Sequence, residues 1–336
     1  LGASASWELD LWGRVRASVK RDRLRAEVEA VNYHNVLLSL QASLAQQYFA
    51  HCAARTELNL LQRSYDLATE NLEMQKARLR MGQGVQADVA NAQLELQNAA
   101  TALEASRRNT GKLLHAIAVL TDTIPSELSY LEPTLLPGIP DIPVGLPSDL
   151  LVLRPDLLAA DRRLRSAALQ VGIRKADFLP QISLGGGGGI ASLKANNLFA
   201  ADSTLFDLGP EVDIGIFQYR FRKAAVAQAK AQFREAAANF KAAFLTAVKE
   251  VDDALLEARS YSREIILQSL ALQAATEATE AARKRFDTGL TNYFDYIAAE
   301  RVRLQIAARE STLTSERLLA TVRLIQALGG SWPSGE

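Results

Sequence analysis

Glycine and proline are missing from two long stretches of this 336-residue chain: neither occurs between Gly13 and Gly82, or between Gly215 and Gly289. Average helices run about 11–12 residues, so unbroken stretches of this length exclude an ordinary, frequently turning domain. No run of about 18 apolar residues occurs, which excludes a transmembrane helix. Cysteine is nearly absent; Cys52 stands alone, so no intrachain disulfide can form. There is no excess of either charge, with Lys+Arg and Asp+Glu both 38, which argues against a general nucleic-acid binder. His34, His51 and His115 have no ligand-like spacing among themselves or with Cys52, so no metal site is expected. The carboxylates follow helix-surface patterns without an acid–base pair. No catalytic residue, cofactor or enzymatic activity is expected. Leu1 is not an initiator Met, and no charged or apolar leader follows it. The chain therefore reads as a fragment or processed product, with any signal peptide or lipid-anchor cysteine upstream.

What fills the two uninterrupted stretches is helical patterning. Apolar residues recur at Leu24, Val28 and Val31, at Leu37, Leu40 and Leu44, and at Leu58, Leu61, Tyr65 and Leu72. The second stretch is rich in Ala, Lys, Arg, Glu and Gln, all good helix formers. As continuous helices, each would reach roughly 100 Å at about 1.5 Å per residue. Both end alike. Ala77-Arg78-Leu79-Arg80-Met81-Gly82 and Lys284-Arg285-Phe286-Asp287-Thr288-Gly289 each put basic residues in a last turn before a glycine, a helix C-terminus. A shift of 207 residues overlays Gly82 on Gly289 and Asp88 on Asp295. The pattern predicts a tandem duplication of a long helix, a tight turn and a returning helix, over about 15–81 with 86–121 and 218–288 with 292–328. Gly111 is the weakest point of the first returning helix.

Strand-like segments precede the long helices. Ser4 to Arg14 alternates Trp7, Leu9 and Leu11 against Glu8 and Asp10. Glu211 to Phe217 alternates Val212, Ile214 and Ile216 against Asp213, and Gln181 to Ile190 carries Ile182 and Leu184 before five glycines. Ala191 to Gly209 reads as loop. Period-two alternation gives one apolar and one polar face, the pattern of a barrel wall between lipid and water. The run Gly185 to Gly189 lacks the Lys-Ser/Thr of a phosphate loop and is read as a bent barrel strand. Residues 1–125 form repeat one, 126–148 a Pro-rich linker, and 149–336 repeat two. Ser148-Asp149-Leu150-Leu151 reads as a helix start. After Arg154-Pro155-Asp156 a helix runs toward Gly172.

On this frame the sequence resembles the TolC-like outer-membrane factor family, in its lipoprotein branch serving tripartite efflux pumps. The residues that carry the likeness are Ser6-Trp7-Glu8-Leu9-Asp10-Leu11-Trp12-Gly13-Arg14, Gly145-Leu146-Pro147-Ser148-Asp149-Leu150-Leu151, Arg154-Pro155-Asp156, Phe178-Leu179-Pro180-Gln181-Ile182-Ser183-Leu184 and Ala327-Leu328-Gly329-Gly330-Ser331-Trp332. The resemblance implies a mainly α chain with a small β part: antiparallel helical hairpins plus transmembrane β-barrel strands, in a trimeric duct. Four strands per protomer are implied and three are legible, so the first strand and its preceding helices are expected upstream of Leu1. The chain departs from the family at Phe217-Gln218-Tyr219-Arg220, where a small Gly-containing turn is usual.

The resemblance implies a passive exit channel in the outer membrane of a Gram-negative bacterium, extending into the periplasm. Its implied partners are two further copies, a periplasmic adaptor, an inner-membrane pump and outer-membrane lipid. Asp295 matches the first of two aspartates that narrow the family's periplasmic entrance; Ala298 stands at the second. Asp295 and Asp88, with Tyr293 and Phe294, are candidate aperture residues. A first-turn carboxylate also favours the helix macrodipole without any such role. Tyr293, Phe294 and Tyr296 read first as ordinary packing of the hairpin tip, with the aperture or an adaptor-docking face as the alternative, and Arg78, Arg80 and Arg285 read as helix-end cations. Trp7 and Trp12 are candidate membrane-interface aromatics. The alternative is a periplasmic adaptor or coiled-coil scaffold, which would show a single hairpin.

Overall fold

The computed structural model describes residues 2–128, 154–190 and 204–330. In chain order its elements are β1 (Gly2–Glu8), α1 (Arg14–Arg80), α2 (Gln86–Leu120), α3 (Pro155–Ala176), β2 (Gln181–Ile190), β3 (Thr204–Asp213), a 3₁₀ turn (Ile216–Gln218), α4 (Tyr219–Asp287) and α5 (Tyr293–Ala327). The long helices have 67 and 69 residues and each returning helix has 35. No break interrupts any of them, Gly111 included. The starts of α2 and α5 lie 207 residues apart, and so do their ends, as the duplication requires.

Both long helices stop for the same reason. Gly82 and Gly289 take φ values of 70° and 74°, the left-handed region that costs a Cβ-bearing residue about 1–2 kcal/mol. That twist lets Gln83 N–H reach Arg78 O at 2.9 Å and Leu290 N–H reach Arg285 O at 2.8 Å. The orphan carbonyls of the last turn are thereby satisfied, and the chain reverses. Gly330 N–H closes the end of α5 likewise, on Ile325 O at 3.0 Å.

The chain divides into two compact units. One comprises Leu1–Asn35 with Leu151–Ala247; it holds the strands, α3, and the first parts of α1 and α4. Val28, Leu157, Ile173 and Ala229 are buried within it. The other comprises Val36–Leu150 with Val248–Glu336 and holds both hairpin turns. Its core is built from Leu67, Leu103, Ile117, Leu304, Leu318 and Leu324, separated by buried Ala118, Ala254 and Ala320. Each of these leucines fills space that a smaller residue would leave empty. Truncating one to Ala typically costs about 2–5 kcal/mol.

The sheet has the order β1-β2-β3, antiparallel throughout. Its register sorts the side chains onto two faces, because directly opposed residues point the same way. Trp7 opposes Leu184, which opposes Pro210; Ala5, Gly186 and Leu208 form the next row, then Ala3, Gly188 and Phe206. The other face carries Ser4, Ser6 and Glu8, the glycines 185, 187 and 189, and Asp207, Glu211 and Asp213, with Leu205 its large apolar member. Three of the five glycines of β2, Gly185, Gly187 and Gly189, lie on this face, and Gly186 and Gly188 on the apolar one. A Cβ on Gly187 would lie 2.6 Å from an Asp207 carboxylate oxygen, so Asp207 occupies the space glycine leaves.

Two strand expectations are corrected. β1 ends at Glu8 rather than continuing to Arg14. Asp10 breaks it at φ 26°, and its carboxylate accepts from Val15 N–H at 2.7 Å and Arg16 N–H at 3.1 Å. An acceptor for the free amides at the start of α1 thus wins over a longer strand. β3 spans Thr204–Asp213, so residues 204–209 are strand rather than loop, and Ile214 to Phe217 are not strand. Gly209-Pro210 reads as a turn in sequence, but β3 pairs with β2 alone among the described residues, a position where proline is tolerated. Phe217 and Gln218 belong to the 3₁₀ turn that leads into α4. The helix after Arg154-Pro155-Asp156 is α3, with proline at its first position. Most of the linker 126–148, the helix start at Ser148-Asp149-Leu150-Leu151, and Ser331-Trp332 lie outside the described residues.

Candidate functional site

The two hairpin turns are built from equivalent residues but are held differently. α2 begins after Val85, which offers no side-chain cap, and Asp88 is exposed in the first turn with its N–H on Val85 O at 3.1 Å. α5 begins after Asn292, whose side-chain oxygen accepts from Asp295 N–H at 3.2 Å. Thr291 donates its hydroxyl to the Asp295 carboxylate. Asp295 is therefore tied into its own turn on both sides, although its side chain stays exposed. Asp88 has no such tether among the described residues.

The aromatics at the second turn reach across to α1. The Tyr293 hydroxyl donates to Glu70 Oε2 at 2.6 Å. Its ring packs against Phe286 at 5.1 Å and Tyr296 at 5.6 Å. Partial burial, then the bond to the Glu70 carboxylate, pushes the Tyr293 phenol up to about 12. The Arg78 guanidinium lies 5.2 Å from the centre of the Phe294 ring, within cation–π range. Tyr293 and Phe294 thus pack within the tip and also link the α4–α5 turn to the last turns of α1.

Further along the same unit, Arg301 of α5 pairs with Glu95 of α2 at 2.8 Å. Asn71 of α1 donates to the same carboxylate at 3.3 Å. One acid of the first hairpin thus joins three helices. Glu70, Glu95 and Asn71 carry no signal in sequence, because acids and amides at helical spacing look like solvated surface. Arg78 reads from sequence only as a helix-end cation; its place over Phe294 depends on the second hairpin.

Of the aromatic pair near the strands, Trp7 is exposed on the apolar sheet face. Trp12 stands in the turn between β1 and α1, also exposed, with its indole N–H on Pro180 O at 2.7 Å. His34 and His115 are exposed. His51 is buried, which holds its imidazole below the usual histidine range, and burial pushes the Cys52 thiol up. Among the described residues no group of three or more His, Cys, Asp or Glu is gathered as a metal site, and no helix is long and apolar enough to cross a membrane.

Comparison with known proteins gives a consistent result. The family model described as outer membrane efflux protein matches residues 1–121 and 146–330. The solvent efflux pump outer membrane protein SrpC of Pseudomonas putida is 27% identical over 338 residues, covering 99% of this chain and 71% of that protein. The cation efflux system protein CusC of Escherichia coli O6:H1 is 29% identical over 347 residues, covering 98% of this chain and 72% of its own length. Among solved structures, the CmeC outer membrane channel of Campylobacter jejuni superposes with a TM-score of 0.91 at 25% identity, over 100% of this chain and 72% of that one.

Proposed function

The chain belongs to the outer membrane efflux protein family, and we propose that it is the outer-membrane exit channel of a tripartite efflux system, conducting substrate passively across the periplasm and outer membrane. The observation that carries this reading is the sheet. It has one apolar and one small, polar face, and its outer strands β1 and β3 each pair on one side only among the described residues. Unpaired backbone edges are not tolerated in lipid. Closure by further strands in a homotrimer satisfies them, with the apolar face on lipid and the Gly/Ser/acid face on water. Two hairpins with strands between them also fit a channel rather than an adaptor, whose single hairpin would have no such sheet. Relatives named for solvent and cation efflux support the class of function.

In this reading residues 1–125 and 149–336 are the two repeats, joined by 126–148. The strands wall the barrel, with Trp7 and Trp12 at its periplasmic rim, and the helices line the passage across the periplasm. The hairpin turns form the entrance. Asp295, held by Thr291 and Asn292, borders the narrowest opening; three copies would set a local negative field that favours cations. Asp88 contributes less, being untethered. The bonds Tyr293–Glu70 and Arg78–Phe294 hold the second hairpin in place until a periplasmic adaptor and inner-membrane pump engage. The opening is then a shift between two packed states of helices. Energy comes from the pump, since the sequence holds no nucleotide motif.

The test is the oligomeric state. Chemical cross-linking of the full-length protein in detergent is expected to yield a ladder ending at three copies. A stable monomer with ordered strands would overturn the reading.

A further inference from the structure

Three strand-to-helix junctions meet at one level of the strand-bearing unit. Trp12 of the β1–α1 turn donates to Pro180 O, and Leu9 N–H reaches Ile182 O at 2.9 Å. Phe178, between α3 and β2, packs its ring against Tyr219, the first residue of α4, at 5.9 Å. At this level the helices carry cations. α1 opens with Arg14, Arg16 and Lys20, α4 with Arg220, Arg222 and Lys223, and α3 closes with Arg174 and Lys175. Neither long helix has an acid in its first turn. At α4 that is the reverse of what the helix macrodipole favours, and at α1 only the carboxylate of Asp10, before the helix, offsets it. In a chain of zero net charge, it is a local excess that folding does not need.

The nearby acids are already engaged or face elsewhere. Glu8 pairs with Arg14, Asp10 caps α1 and holds Arg16, and Asp177 pairs with Arg174. Glu211 and Asp213 belong to the polar sheet face, opposite Trp7. Lys20, Lys175, Arg220 and Lys223 are exposed and form no ion pair among the described residues. Exposed rings stand among them: Trp12, Phe217, Tyr219 and Phe221. Along α1 an open groove of about 520 Å³ is lined by apolar Val15, Val19 and Leu24, by Arg16, Lys20 and Arg23, and by Glu27, whose carboxylate is paired with Arg162 at 3.0 Å.

We propose that these junctions form a binding surface for anionic phospholipid headgroups, at the leaflet where the strands leave the membrane. The inference rests on the outer-membrane reading above. Unpaired cations call for an anionic partner, and Trp12 and Tyr219, rings with a polar edge, suit headgroup depth, with Phe217 and Phe221 offering apolar contact beside them. The apolar sheet face continues directly into this belt, so a lipid can place its chains on the strands and its phosphate on the cations. A second copy is a poor occupant. Copies related by an axis along the membrane normal present the same junctions at the same level, which would set cation against cation.

Brominated lipids test this, because bromine quenches nearby indoles. In the full-length protein, with every tryptophan other than Trp7 and Trp12 replaced by Phe, fluorescence is measured in vesicles of brominated phosphatidylglycerol mixed with plain phosphatidylcholine, and in the converse mixture. A Lys or Arg near an anionic surface contributes roughly a fivefold factor. Averaged over two rings, the anionic lipid is expected to be enriched by at least about threefold at low salt. The enrichment should fall toward one in 1 M salt and in the variant K20Q/R220Q/K223Q, and survive in the charge-conserving K20R/R220K/K223R. Equal quenching by both lipids, or enrichment unchanged in the neutralised variant, overturns the proposal. Enrichment lost together with the trimer overturns it too, since the cations would then serve contacts between copies. Quenching by neither lipid refutes the membrane reading itself and is a different result from equal quenching by both.

Discussion

Replacing Tyr293 by Phe removes one hydroxyl and leaves the ring packing on Phe286 and Tyr296 intact. What is lost is the 2.6 Å bond to Glu70, which fastens the second turn to α1. A hydrogen bond to a charged group contributes about 1.5–3 kcal/mol when buried. This pair is partly open to solvent, so about 1 kcal/mol per copy is the defensible figure. In the proposed trimer, with its three turns moving together, that sums to about 3 kcal/mol, or more than a hundredfold in the proposed ratio of open to closed entrance. The assay is single-channel recording of the full-length protein in a planar bilayer. Both Y293F and E70A are expected to raise mean conductance or open time, and the double variant to add little, because both remove the same bond. The pH dependence has a definite sign. The phenol's value is raised in the folded chain, to about 12. The bond's contribution is therefore full below about pH 10, the unfolded value, and is lost as pH rises through about 12. Conductance equal to wild type in both single variants would refute the fastening role.

The remaining expectations concern the turns and the first helix cap. D295A should raise conductance or weaken block by multivalent cations, and D88A should do less; a helix-end charge alone would leave both currents unchanged and cost only about 0.3–1 kcal/mol. G82A and G289A each meet open space, so the cost is conformational only, about 1–2 kcal/mol each. Thermal unfolding should show similar losses for the two, and a larger loss at one would mean that the turns are not equivalent. D10A should cost about 1 kcal/mol by uncapping α1, measurable as a lower melting temperature, with N as the conservative rescue.

Helices were legible because their signals are local and repeated. Two glycine-free stretches, each ended by basic residues and glycine, gave every long boundary to within two residues. The strands were legible only in part, because alternation does not say where pairing stops. Leu9 and Leu11 continue the alternation of β1, but the carboxylate of Asp10 is a better acceptor for the free amides of α1 than the strand is a ladder. The start of β3 stayed hidden because Gly209-Pro210 looks like a turn until Leu184 stands opposite the proline. At the site, Asp295, Tyr293 and Phe294 could be named from spacing and likeness. Their partners Glu70 and Arg78 could not, since each sits more than 200 positions away on a surface of similar charged residues.

The most direct test of the channel reading is conductance through a planar bilayer by the full-length wild-type protein, with its cross-linked state recorded from the same sample. Discrete, long-lived steps from a preparation that cross-links to three copies are what the account predicts. A silent bilayer from protein that inserts and cross-links as a trimer would contradict the claim that this chain forms a conducting exit.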